Sequence, residues 1–248
     1  MANLLLDLPT DVYFLTTDSH FRVGGAKGSN LQASDCPKNS GSVNKDCIAA
    51  SLMLRLTHSS SAYLENVWVW TADHDLDIAS QDQLDIYAAR GILIESQGPT
   101  WLYGTASEHQ VFYQYELYQA ENIVMGMIQT ESPYFQPLPA APLPFTPGLF
   151  PGDPDFTNCT SSSKTCGFSW SMRILDSSTV YLLGAGKLMA RTLGHYFRLT
   201  IQQDSTVGSR TIRRNVSMKS FAKTVGSKSR RAMIHGSTIW SPRQFPRW

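Results

Sequence analysis

Long apolar runs are missing from this chain of 248 residues. No uninterrupted stretch reaches the about 18 residues that a membrane-spanning helix needs, which excludes such a span. Met1 to Pro9 holds a Leu4-Leu5-Leu6 run with no basic segment before it and no small-residue cleavage pattern, so no signal peptide is read there. Cysteine is scarce, with four residues and no CxxC spacing of the kind a zinc site uses. Gly24-Gly25-Ala26-Lys27-Gly28 lacks the spacing of a phosphate-cradling loop, and no serine or cysteine has a supporting triad. Membrane helices, P-loop nucleotide chemistry and nucleophilic serine or cysteine hydrolysis therefore drop out, and no cofactor is implied.

Acids are nearly absent from one region only. Residues 187 to 248 carry 13 Lys+Arg and a single acid, Asp204, although the whole chain has a net charge of +1. The remaining 186 residues are acidic, so a basic tail follows an acidic body. Such a tail suits either a non-specific polyanion contact or sequence under no folding constraint. The cysteines form two local pairs, Cys36 with Cys47 and Cys159 with Cys166, each in a polar stretch. Loop-closing disulfides of an oxidising compartment fit this pattern, with zinc as the rival reading. Asn158-Cys159-Thr160 and Asn215-Val216-Ser217 match the short glycosylation pattern.

What is present reads as strand. Val67-Trp68-Val69-Trp70, Ile92-Leu93-Ile94, Val111-Phe112-Tyr113 and Ile123-Val124-Met125 are short β-branched or aromatic runs between polar corners. Glu65-Asn66-Val67-Trp68, Glu121-Asn122-Ile123-Val124 and Ser178-Thr179-Val180-Tyr181 align at the near-equal intervals from Asn66 to Asn122 and from Asn122 to Thr179. Two coils of a solenoid, at about 28 residues each, would give that spacing. Gly24 to Val43 and the proline-rich stretch of residues 133 to 157 interrupt the pattern as loop excursions, since proline cannot donate to a ladder.

The run Trp101-Leu102-Tyr103-Gly104-Thr105-Ala106-Ser107-Glu108-His109 sets an acid among aromatics, an apolar setting that raises a carboxyl pKa and suits a general acid. That run, Glu65 to Asp77, Arg90-Gly91-Ile92-Leu93-Ile94-Glu95-Ser96 and Met127-Ile128-Gln129-Thr130-Glu131-Ser132-Pro133-Tyr134 together resemble the motifs of fungal glycoside hydrolase family 55, in the family's order. The resemblance spans roughly residues 20 to 186. It implies an all-β, right-handed parallel β-helix of the pectate-lyase type, and an exo-acting, inverting hydrolysis of β-1,3-glucan that releases glucose. It also implies an extracellular family and tandem β-helices, of which this chain holds part of the second. Residues 1 to 19 are then a lead-in, and 187 to 248 a tail outside the resemblance. Gly186-Lys187-Leu188 can be encoded with the start of a fungal intron, so a retained intron and a shifted frame would account for that tail.

On this resemblance Glu108 is the expected general acid, with His109, Trp101 and Tyr103 around it. Asp85, 23 positions earlier and so near the spacing of one coil, is the preferred base, with Glu95 as the other candidate. Trp70, Trp101 and Tyr134, with Trp68, are expected to stack on glucose faces. Asp73, His74, Gln129 and Glu131 have the polarity for sugar hydroxyls. Asp73-His74-Asp75 lacks a second cluster, so a hydrogen-bonded corner is expected there and no metal. The partner is a β-1,3-glucan, with no specific nucleic acid and no membrane. A non-catalytic glucan-binding protein and a pectin-active β-helix protein are the alternatives.

Overall fold

The computed structural model describes residues 3–6, 13–38, 42–157, 159, 166–187 and 199–202. Asn158, Asn215 and most of the basic stretch lie outside the described residues. The described chain is almost entirely strand and turn, with one short 3-10 turn at Lys45–Cys47.

In chain order the strands are β1 (Asn3–Leu6), β2 (Tyr13–Thr17), β3 (His20–Val23), β4 (Ile48–Ala50), β5 (Leu52–Leu56) and β6 (Ser61–Glu65). They continue with β7 (Trp68–Thr71), β8 (Tyr87–Ala88), β9 (Arg90–Ile94), β10 (Thr100–Tyr103) and β11 (Ala106–Glu108). The last are β12 (Tyr113–Tyr118), β13 (Glu121–Glu131), β14 (Trp170–Leu175), β15 (Ser178–Lys187) and β16 (Leu199–Gln202). One sheet runs β1-β5-β9-β12-β14-β16. A second runs β2-β6-β10-β13-β11-β7-β3, with β15 on the other side of β13. Every ladder between these strands is parallel. Parallel neighbours that return once per turn make a β-helix, as the sequence implied. β16 falls inside the basic stretch and extends the first sheet beside β14.

Period-two alternation explains why these segments stack. On each coil alternate side chains point inward and form rows: Leu54, Ile92, Tyr115 and Met172 make one, and Leu64, Leu102, Met125 and Leu182 another. The rows fill the solenoid interior, where Leu54, Leu56, Leu64, Ile92 and Tyr115 are fully buried. A second apolar cluster lies outside the coils, beneath the excursions. It joins Trp70, Leu84, Ile86, Tyr87, Phe112, Phe135 and Phe156 with the disulfide Cys36–Cys47. Cys159 and Cys166 are bonded as well.

The second sheet folds at a corner that repeats on five coils. Asp18, Asn66, Gly104, Met127 and Gly184 all take positive φ, between 49° and 75°. Ladder register puts Met127 beside Gly184 and Gly104 beside Asn66. Asn and Asp tolerate this conformation by bonding the local backbone, and glycine lacks the Cβ that resists it. Asn66 therefore stacks on Gly104 and Met127, whereas Asn122 and Thr179 share a different turn. The interval from Asn66 to Asn122 is not a repeat.

Coil lengths confirm the unevenness. Along the row Leu15, Tyr63, Trp101, Val124 and Tyr181, successive coils take 48, 38, 23 and 57 residues. Only the coil from Trp101 to Val124 has no long excursion. The 57-residue interval is one coil enlarged by the proline-rich segment rather than two coils.

That segment is tied down by ions. Asp153 accepts hydrogen bonds from Arg90 Nε at 2.6 Å and from Arg90 Nη2, and its Oδ2 also faces the amides of Gly148 and Leu149. Arg173 bonds Glu116 and the carbonyl of Gly152. A Cβ on Gly152, at φ +82°, would stand 2.8 Å from Glu116 Oε1, so only glycine fits between loop and sheet.

Candidate active site

The outward face of β7, β11 and the second half of β13 carries the polar cluster. Register aligns Arg22, Trp70, Glu108 and Glu131 in one row and His20, Trp68, Ala106 and Gln129 in the next. In the earlier coil Glu108 pairs with Trp70, 38 positions back, and in the later coil with Glu131, 23 positions on. Asp85 is thus not the residue one coil below Glu108, because the 72–89 excursion lengthens that coil. Its backbone N–H donates to the Cys36 carbonyl, and its charge bears on Tyr87.

Glu108 is buried, and both of its oxygens accept N–H bonds. Trp68 Nε1 donates to Oε2 at 2.8 Å and Gln129 Nε2 to Oε1 at 2.6 Å. Glu131, also buried, accepts from the Tyr134 hydroxyl at 2.9 Å. Burial raises the pKa of both carboxyls above the usual range, and the neighbouring His109 and these hydrogen bonds oppose the rise. Burial and the Glu131 charge push the Tyr134 phenol upward too, so it stays a proton donor at neutral pH.

His109 follows β11 at φ +72°, an uncommon conformation for a side-chain-bearing residue. It turns the ring back over the sheet. Nδ1 donates to the Ser132 carbonyl at 3.2 Å, Nε2 lies 3.5 Å from Asp73 Oδ1, and the ring packs on Tyr134 at 5.0 Å. Asp73 also accepts from Trp70 Nε1 at 3.1 Å and touches His74 Nδ1 at 2.7 Å. The turn after Glu108 is held by amides: Gln110 Nε2 bonds the Glu108 carbonyl and Thr71 Oγ1, and Gln114 Nε2 bonds the Gln110 carbonyl. Gly91 makes room for this, since a Cβ there would lie 2.4 Å from Ser107 Oγ.

The expected site residues therefore divide. Trp70, Asp73, His74, Glu108, His109, Gln129 and Tyr134 come together, with Glu131 and Trp68. Trp70 stacks on Trp68 at 4.5 Å, and Arg22 sits over its ring at 5.3 Å. Its faces are thus engaged by protein, and Trp68 and Tyr134 are the more open rings. Trp101 and Tyr103 stand on β10 before the corner, half exposed, on the other half of the sheet. Glu95 pairs with Arg55 at 2.6 Å, at a different turn of the coil. The residue the sequence underrated is Glu131, and the signal was its spacing of one short coil after Glu108.

Donor atoms of Glu108, His109 and Glu131 lie within 4.8 Å of one another, a set that could hold a cation. An ion bound to one oxygen of Glu108 would compete with the N–H already there, Trp68 at Oε2 or Gln129 at Oε1. Without one, the two carboxyls are close enough to couple, so that ionising the first disfavours ionising the second.

The fold and this site define a parallel β-helix protein with a buried, aromatic-framed carboxylate pair on its outer sheet. No protein-family model matches the chain. Its relatives are fungal: the chain is 65% identical over 167 residues to a Penicillium expansum protein named non-secreted LysM effector LysM15. It is 46% identical over 172 residues to a probable glucan endo-1,3-beta-glucosidase of Arthroderma benhamiae. It is 43% identical over 170 residues to a glucan 1,3-beta-glucosidase of Cochliobolus carbonum. Each match covers 67 to 68% of this chain but only 12, 19 and 21% of those proteins, so the chain spans about an eighth to a fifth of their length.

Proposed function

We propose that this chain carries the acid/base pair of a β-1,3-glucan hydrolase of the family 55 type, with Glu108 and Glu131 as the pair. The observation that carries this reading is their register on adjacent coils, each buried and framed by Trp68 and Tyr134. Burial raises the pKa of both carboxyls, so the hydrogen bonds decide the roles. Glu108 accepts an N–H on each oxygen, which favours its anion over its acid form and makes it the base, the reverse of the acid role that the resemblance implies. Glu131, whose carboxylate accepts the Tyr134 hydroxyl rather than an N–H on each oxygen, protonates the leaving oxygen. Asp73 and His109 position the pair, while Gln129 and His74 face sugar hydroxyls. Asp85 takes no part in this assignment.

Exo attack, glucose release and inversion come from the resemblance. The nearest oxygens of the pair, within 4.8 Å, are closer than the about 6.5–9.5 Å typical of inverting carboxylates and nearer the about 5–5.5 Å of retaining pairs. This spacing favours retention with Glu108 as nucleophile, and inversion would need a base other than Glu108 on the opposite face of the sugar. Sequence beyond this segment, as in the longer relatives, would complete the pocket wall. The test is glucose release from laminari-oligosaccharides, with the anomer followed by proton NMR. Glu108→Gln and Glu131→Gln should each reduce it by about 10²–10⁴-fold. Release that neither substitution alters refutes the assignment. A second reading, a non-catalytic glucan-binding protein, is favoured by the 65% identity to a protein named as an effector. Laminarin binding with no glucose released would select it.

A further inference from the structure

A cavity of about 380 Å³ opens at another turn of the coil, away from the carboxylate pair. It lies where β5, β9 and β12 leave the first sheet. Arg55, His58, Glu95, Tyr118, Gln119 and Pro151 line it. The volume falls in the about 300–1,000 Å³ range of small-ligand pockets.

The walls are built rather than accidental. Glu95 N–H bonds the Leu56 carbonyl, and Gln97 N–H bonds the His58 carbonyl, so one coil fixes the turn of the next. Gln119 takes φ +51° and anchors its amide N–H to the Leu175 carbonyl, which places its side chain at the rim. Arg55 Nε donates to Glu95 Oε2, and Phe150 packs 5.4 Å from the guanidinium, which fixes the pair. Among the described residues, the terminal amino groups of Arg55, the His58 ring, the Tyr118 hydroxyl and the side-chain amide of Gln119 make no hydrogen bond within the protein. Four polar groups thus converge on one cavity with bonding capacity unspent.

Their chemistry selects a ligand class. Arg55 and Glu95 offset each other, so the pocket has no fixed net charge with which to hold an anion or a cation. It offers donors and acceptors side by side, the arrangement that neighbouring hydroxyls satisfy in both directions. Tyr118 and Pro151 add apolar surface for C–H faces. We infer that this pocket is a second saccharide-binding site, taking a neutral oligosaccharide segment at a turn of the coil remote from the acid pair. The ligand class rests on the lining, and only the choice of a β-1,3-linked probe rests on the proposed function.

The test is amide NMR of the full chain titrated with laminaritriose, maltotriose, galacturonate and inorganic phosphate. Laminaritriose should shift the amides of Thr57, His58, Glu95 and Gln119 saturably, both in the native chain and in the Glu108→Gln/Glu131→Gln variant. Tyr118→Ala should weaken that response tenfold or more. So should His58→Ala/Gln119→Ala, which changes two exposed side chains and leaves the core intact. Shifts confined to residues 68–74, 106–110 and 127–134 overturn the inference while leaving the proposed function standing. Preferential saturation by galacturonate or phosphate overturns it as well. Pocket shifts without any glucose release support it and count against the hydrolase reading alone.

Discussion

Removing the Asp153 carboxylate should cost this protein a large part of its stability. Asp153 and Arg90 side chains are 3% and 2% exposed, so Asp153→Ala strands a guanidinium in the interior. Arg90 keeps one bond, from Nη1 to the Ser51 carbonyl at 3.0 Å, and its packing against Phe112 and Phe150. The amides of Gly148 and Leu149 lose their acceptor at the same time. Breaking a buried pair from one side costs about 3–5 kcal/mol, against a typical total of about 5–15 kcal/mol. With a urea slope of about 2 kcal/mol per molar, the midpoint should fall by about 1.5–2.5 M. Amide exchange at Gly148 to Phe150 should quicken, since that turn closes on the carboxylate. Arg90→Met/Asp153→Leu removes both charges and should recover most of the loss, because the cost lies in the unpaired ion rather than the absent pair. A fall of under about 1 kcal/mol in Asp153→Ala, or a double variant no better than the single, refutes this account.

Trp68→Phe removes one N–H from Glu108 and makes its anion harder to hold; the acid limb of the kcat/KM profile should move up by about one pH unit. An unmoved limb would show that Trp68 does not set the Glu108 charge. Glu131 has a folded-state pKa raised above its unfolded value, so its contribution to stability is present below the ordinary carboxyl range and is lost as pH rises through the folded value. Glu131→Gln should therefore raise Tm at pH 8 relative to pH 4, and an equal effect at both pH values would contradict the burial argument. Cys36→Ser/Cys47→Ser opens an 11-residue link within the outer cluster and should cost about 2–4 kcal/mol in urea unfolding, a loss that reduction of the native chain should equal or exceed because it also opens Cys159–Cys166.

The sequence told much about the strands and little about their neighbours. Val67 to Trp70 and Ile92 to Ile94 declare strands through their aromatic and β-branched content, and both form ladders in the first or second sheet. The local cysteine pairs were legible too, because each closes a short polar loop. Register was not legible, because a solenoid accepts an insertion at any turn without disturbing its ladders. A fixed period laid backward from Glu108 finds Asp85, yet the excursion of residues 72–89 makes Trp70 the true neighbour. Laid forward, the same period finds Glu131, because the coil between β11 and the end of β13 has no insertion to absorb. That absence has a functional consequence. Two carboxyls on consecutive coils are held apart by the strand spacing of about 4.8 Å, a distance set by backbone hydrogen bonds rather than by loop conformation. The pair is then as rigid as the sheet that carries it, and the variable excursions can reshape the walls around it without moving the carboxyls. The outward face of β11 and β13 is thus where this fold can place acid/base chemistry with the least dependence on its loops, and the shortest coil is where such a pair should be sought.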